Sequence, residues 1–100
     1  MEEYNLYIIS LYDIYNSLLT DKQKLYFEDY YFNNLSLSEM SENYEVSRNA
    51  IHKQIKEVNS KLEDFELKLK VKEKNIKLKE LINKIDDSKL RLELEKIIEE

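Results

Sequence analysis

Five polar side chains between residues 48 and 56 are the best suited in this chain to contact a nucleic acid. They are Arg48, Asn49, His52, Lys53 and Lys56. Arginine can bond both acceptors of a guanine edge, asparagine can do the same at adenine, and lysine holds phosphate. Spacings of three and four residues place side chains on one face of a helix. The segment therefore predicts the second helix of a helix-turn-helix.

Catalytic and metal-binding chemistry has little support in the sequence. One histidine, no cysteine and no glycine leave no zinc motif, no disulfide framework and no phosphate-cradling glycine loop. Paired carboxylates such as Asp86 and Asp87 stand where helix ends need charge. We expect no enzyme activity, no cofactor and no metal. His52 has two interpretations: a polar residue on an exposed helix face, or a ligand contact beside Arg48 and Lys53.

Two capped helices must position these side chains. Ser36 precedes Glu39 by three residues, which is the spacing of a capping box, and Ser47 can open the next helix. The apolar residues between them fall where two crossing helices share a small core: Leu37, Met40, Tyr44, Val46, Ile51 and Ile55. Glu45 stands in the turn where glycine is common, so a positive φ there would cost about 1 kcal/mol.

The first helix is predicted from Glu2 to Leu18 and is apolar around most of its girth. An almost encircling apolar surface indicates burial on two sides. We expect a homodimer whose interface includes Tyr4, Tyr7, Ile8, Leu11 and Tyr15, since tyrosine gives wide contact area while its hydroxyl stays hydrated. The alternative is a helix fully wrapped by its own chain.

A second helix is predicted from Asp21 to about Phe32, opened by the capping-box spacing of Thr20 and Gln23. Its aromatic block lies among acidic and amide neighbours, so we expect a core or interface role rather than base stacking. Asn33 and Asn34 are expected to end this helix, because asparagine tolerates the left-handed conformation.

After residue 47 no helix breaker appears for almost forty residues. A heptad seam then runs through Ile51, Ile55, Val58, Leu62, Phe65 and Leu69. The seam fails after Leu69, which predicts a bend, a break or a new packing partner near residues 68 to 75. Residues 67 to 79 alternate apolar residues with lysine. We prefer a solvated helix there over an isolated strand or a phosphate grip. A last short helix should follow Asp87.

Composition favours an all-α fold. Glycine and proline are absent, which argues against tight hairpins, and helix formers dominate. We divide the chain into a helix-turn-helix domain, residues 1 to 66, and a C-terminal helical extension, residues 67 to 100. Without a leader or a membrane-length apolar run, we expect a cytoplasmic protein that does not insert into membranes. The net charge of −5 argues against a sequence-blind nucleic-acid coat.

The order and spacing of several short motifs resemble the YlxM family of small bacterial proteins. The matching motifs are Leu19-Thr20-Asp21-Lys22-Gln23, Tyr30-Tyr31, Leu35-Ser36-Leu37-Ser38-Glu39-Met40 and Val46-Ser47-Arg48-Asn49-Ala50-Ile51. The resemblance runs from about residue 4 to 75 and implies a helix-turn-helix similar to region 4 of sigma factors. Around that motif we expect an extra N-terminal helix, a long fourth helix and a C-terminal helical extension, whose last 25 residues lie outside the resemblance. The resemblance also implies an oligomeric regulator of the signal recognition particle pathway.

Two binding hypotheses follow. In the first, the five polar residues bind DNA or the particle's RNA. In the second, the protein is an adaptor that docks on the particle's protein or its GTPase without reading nucleic acid. The acidic net charge favours the adaptor, and the placement of the basic residues favours the regulator.

Overall fold

The structure, a computed structural model, describes residues 2 to 99, which hold six α-helices, one 3-10 turn and no strand. The helices are α1 Glu2–Tyr15, α2 Asp21–Tyr31, α3 Leu37–Tyr44, α4 Arg48–Leu69, α5 Val71–Ile82 and α6 Ser88–Glu99. The all-α fold is confirmed. The first helix was predicted to reach Leu18, but its α-helical part ends at Tyr15, and Asn16–Leu18 continue as the 3-10 turn.

Side-chain caps determine where α2 and α3 begin. Thr20 and Gln23 form the predicted capping box, and so do Ser36 and Glu39. In the second box the Ser36 Oγ accepts from the Glu39 amide at 3.0 Å, and the Glu39 carboxylate accepts from the Ser36 amide at 3.0 Å. Hydrogen bonds from Ser36 hold the pKa of the Glu39 carboxyl below its usual value.

The chain forms two compact units, one ending at Leu69 and the other beginning at Lys70. In the first unit α1, α2 and α3 all contact α4, which is therefore its central element. The predicted domain boundary, between residues 66 and 67, lies inside the last turn of α4. The predicted break near residues 68 to 75 is confirmed, because Lys70 separates α4 from α5 with a φ of 55°.

The core of the first unit has a cluster under the helix-turn-helix and an aromatic block beside it. The cluster joins Tyr26, Met40, Ile51 and Ile55 from three helices. In the aromatic block the Tyr12 ring stacks on Phe27 at 4.2 Å between centroids and 4° between planes. The interpretation of the second-helix aromatics as core is thus confirmed for Tyr26 and Phe27, which are buried.

In the second unit α5 and α6 contact each other. Residues 71 to 82 are helical, so the alternating lysines do not form a strand. The last helix begins as predicted after Asp87, whose carboxylate accepts from the Lys89 amide at 3.0 Å and the Leu90 amide at 3.1 Å. None of the described helices has the length and apolarity that a membrane span requires.

Candidate nucleic-acid interface

The turn between α3 and α4 is short and tied by hydrogen bonds. Glu45 adopts a φ of 55°, the left-handed conformation whose cost was considered above, and its amide donates to the Ser41 carbonyl. The Val46 amide donates to the same carbonyl at 3.2 Å, and the Ser41 hydroxyl donates to the Val46 carbonyl. Ser47 then caps α4, since its Oγ accepts from the Ala50 amide at 3.1 Å. These contacts fix the angle at which α4 leaves the turn.

We call the exposed set Arg48, Asn49, His52, Lys53 and Lys56 the recognition face. All five side chains are exposed along the first half of α4. The opposite side of the same turns carries Ile51 and Ile55, which are buried in the core. The helix is therefore held by one face and presents the other, which is the arrangement a groove-reading helix needs.

Four members of the recognition face line one shallow depression. The depression is lined by Asn49, His52, Lys53 and Lys56, together with Glu57, Ser60 and Lys61. Three lysines against one glutamate make this patch locally positive, although the whole chain carries −5. Such a patch can hold phosphates while the amide and imidazole reach a base edge.

Arg48 stands apart from the other four. Its Nη1 donates to the Ser38 Oγ of α3 at 3.2 Å, so the side chain bridges the two helices of the motif. Arginine has five N–H donors, and this bond uses one of them. This bridge is not visible in the sequence, because only the crossing of α3 and α4 brings positions 38 and 48 together.

The predicted oligomer interface needs a correction at three of its five residues. Ile8 and Leu11 are 0% exposed and Tyr15 is 3% exposed, so they belong to the core. Tyr15 packs its ring 5.8 Å from Phe65 and donates its hydroxyl to Glu66 at 2.7 Å. These residues face α4 because that helix is long enough to cover α1 along its inner side. Tyr4 and Tyr7 remain exposed, at 42% and 40%.

One further polar residue, Asn59 of α4, was not among the residues that the sequence singled out. Asn59 is buried, and its Nδ2 donates to the Tyr31 hydroxyl at 2.7 Å. It follows Val58 on the buried stripe of α4, so a polar residue among apolar seam positions was the signal that could have identified it. No group of three or more metal-binding side chains occurs among residues 2 to 99.

Comparison with known proteins gives a consistent picture. A family model described as "Putative helix-turn-helix protein, YlxM / p13 like" matches residues 2–100. The UPF0122 protein of Malacoplasma penetrans is 56% identical over 71 residues, which cover 70% of this chain and 66% of that relative.

Two other relatives extend the match. The UPF0122 protein of Ureaplasma urealyticum is 45% identical over 91% of this chain and 92% of its own length. That of Geobacillus is 43% identical over 77% of this chain and 70% of its own length. The family is described as a helix-turn-helix protein and not as a class of enzyme. This chain belongs to the UPF0122 family of YlxM-like helix-turn-helix proteins.

Proposed function

We propose that this protein is a cytoplasmic regulator of the signal recognition particle pathway that binds nucleic acid, DNA or the particle's RNA, through the recognition face of α4. Membership in the YlxM-like family supports the pathway, because resemblance to that family implies it. The observation that supports nucleic-acid binding most directly is that four exposed polar side chains line one positive depression beside the hydrogen-bonded turn.

The mechanism follows from the geometry of the motif. Lys53 and Lys56 neutralise backbone phosphates, and each phosphate contact releases a counterion. Asn49 and His52 lie between the lysines and the turn, where they can reach base edges. Arg48, held by Ser38, contacts the backbone or a base at the junction of α3 and α4. The N-terminal part of the chain is acidic, which limits binding there, whereas residues 67 to 79 carry six lysines and one glutamate and are a second positive stretch.

The direct test is a titration of wild-type protein and the Arg48→Ala/Lys53→Ala double variant against duplex DNA and structured RNA. We expect the double variant to bind at least tenfold more weakly, since it loses two charged contacts. The matched control is Lys84→Ala/Lys89→Ala, which removes the same charge from exposed positions outside the motif. Equal binding by both double variants and wild type would contradict the proposal.

A protein-docking function is the second candidate, and the chain's net charge of −5 favours it. In this protein-docking function, the same fold contacts the protein of the signal recognition particle or the particle's GTPase. Capture of either protein by the immobilised full chain, unchanged after nuclease treatment, is the result it predicts. Capture that disappears with nuclease would assign the contact to nucleic acid instead.

We also propose that the protein forms a homodimer through the outer side of α1. Leu6 is 69% exposed on that side, and Tyr4 and Tyr7 keep 42% and 40% of their surface exposed on the side nearer α4, so apolar surface of α1 is left uncovered after the core is formed. The three buried residues, Ile8, Leu11 and Tyr15, hold α1 on α4 rather than on a partner.

A further inference from the structure

A groove of about 420 Å³ opens between α1, α2 and α4 beside the recognition face. The lining side chains that matter here are Tyr4, Tyr30, Tyr31, His52, Lys56 and Asn59. His52 and Lys56 belong both to this groove and to the positive depression on α4. A nucleic acid held on the recognition face would therefore pass directly over the mouth of the groove.

Asn59 gives the groove a specific chemical requirement. It is 8% exposed, and its Oδ1 is a buried side-chain acceptor without a partner among the described residues. The other amide atom, Nδ2, is already bonded to the Tyr31 hydroxyl at 2.7 Å. An acceptor buried without a partner costs free energy, which a ligand that donates a hydrogen bond would recover. Oδ1 is shielded from solvent in this conformation, so the amide must turn about its soft terminal torsion, giving up the Nδ2 bond to Tyr31, before Oδ1 can meet an entering donor.

The remaining walls suit a flat aromatic ring with an attached anion. Tyr30 and Tyr31 meet edge to face, with ring centroids 4.9 Å apart and planes at 88°. Tyr30 is 36% exposed, so part of its ring can receive a stacked base. The Tyr4 hydroxyl is held by the Glu63 carboxylate at 2.5 Å, which fixes the opposite wall. Lys56 is exposed at the mouth, where it can hold a phosphate.

We propose that this groove binds one unpaired nucleotide whose base carries an amino group. The base stacks on Tyr30, its amino group donates to the Asn59 Oδ1, and Lys56 holds the phosphate. The inference rests on the proposed function, because the nucleotide would be an extruded base of the nucleic acid on the recognition face. A free nucleotide has the same chemistry, so the test includes both sources.

The experiment measures binding of the full chain to three labelled hairpins in RNA and in DNA. One is fully paired, one carries a single bulged adenosine, and one carries a bulged purine nucleoside that lacks the amino group. Adenosine monophosphate is the fourth ligand. We expect the bulged adenosine to bind roughly tenfold more tightly than the paired hairpin, in line with the usual contribution of one stacked base. The bulged purine without the amino group should lose most of that advantage.

Three variants test whether the tighter binding of the bulged adenosine hairpin comes from the groove. Asn59→Leu should remove it while leaving affinity for the paired hairpin unchanged. Tyr30→Ala should also remove it, whereas Tyr30→Phe keeps the ring and should retain it. If Asn59→Leu fails to fold by circular dichroism, the Tyr30 pair decides, because that side chain lies at the surface.

The possible results distinguish failure of the groove site from failure of the proposed function. Equal affinity for bulged and paired hairpins would overturn the groove site and leave the proposed function standing. Absence of binding to any hairpin, with none to the monophosphate, would overturn both. Monophosphate binding that equals the bulged hairpin's affinity and is lost in Asn59→Leu would support the site and assign it to a free nucleotide.

Discussion

Arg48 illustrates how a single contact changes the meaning of a residue. On an exposed helix face the Arg48 side chain could adopt many rotamers, but its hydrogen bond to the Ser38 hydroxyl holds it across the junction of α3 and α4. The side chain is thereby partly preorganised, which reduces the entropy lost when it binds. This contact also makes a serine of α3 part of the candidate site.

Tyr44 and Asp29 make a testable pair at the same scale. The Tyr44 hydroxyl donates to the Asp29 carboxylate, and burial together with this bond raises the pKa of Tyr44 to about 12. A tyrosine in the unfolded chain has a pKa near 10, so the unfolded state loses its proton first. The stability that Tyr44 contributes is thus complete below about pH 10 and is lost as pH rises towards 12.

In the wild type, the free energy of unfolding should decrease between about pH 10 and pH 12. In Tyr44→Phe we expect this decrease to be smaller by on the order of 1 kcal/mol. Urea denaturation at a series of alkaline pH values measures this. Asp29→Asn, which replaces the charged acceptor by a neutral amide, should flatten the fall in part, because the burial of Tyr44 remains. An alkaline fall that is identical in all three proteins would show that the pair does not control it.

At the scale of elements, the helix starts could be predicted from local hydrogen bonding, whereas the choice of which residues are exposed could not. The capping residues Thr20, Ser36 and Asp87 identify helix starts because their hydrogen bonds involve only nearby backbone. The burial of Ile8 and Leu11 was not predictable, because α1 is apolar on most sides and its pattern does not say which side meets α4. The groove between α1, α2 and α4 could not be predicted for the same reason, since its walls come from three helices.

The turn residue Glu45 gives a prediction for the helix-turn-helix itself. It holds a φ of 55°, a conformation that glycine adopts without steric cost. Glu45→Gly should therefore stabilise the protein by about 0.5 to 1 kcal/mol in thermal or urea unfolding.

The matched control is Glu42→Gly, the same substitution inside α3 at an exposed helical position. At this helical position glycine should destabilise the protein by about 1 kcal/mol, because glycine loses more backbone freedom than other residues when it is fixed in a helix. If both variants destabilise equally, the left-handed turn at Glu45 would not be a source of strain.

At the scale of the whole molecule, a chain with a net charge of −5 carries a positive patch on α4 and an exposed leucine on the outer side of α1. The two lie on different helices, so dimer formation and nucleic-acid binding can be changed separately. Light scattering at tens of micromolar should give twice the monomer mass of 12.2 kDa. A mass of one chain would contradict the homodimer.

Variants locate the dimer surface. Leu6→Glu places a charge on the outer side of α1 and should give a monomer that keeps its helical circular dichroism, because Leu6 is exposed in the folded chain. Leu25→Glu makes the same change at an exposed position of α2 and should leave the dimer intact. Dissociation by both variants, or by neither, would place the interface elsewhere.

The central claim is that the recognition face of α4 binds nucleic acid through its charged side chains. The most direct measurement is the salt dependence of duplex binding for wild type and Arg48→Ala/Lys53→Ala. Each lost phosphate contact should reduce the slope of log K against log salt by about 0.9. We expect a slope shallower by about 1.8 when both residues contact phosphate. An unchanged slope and affinity in the double variant would contradict the claim.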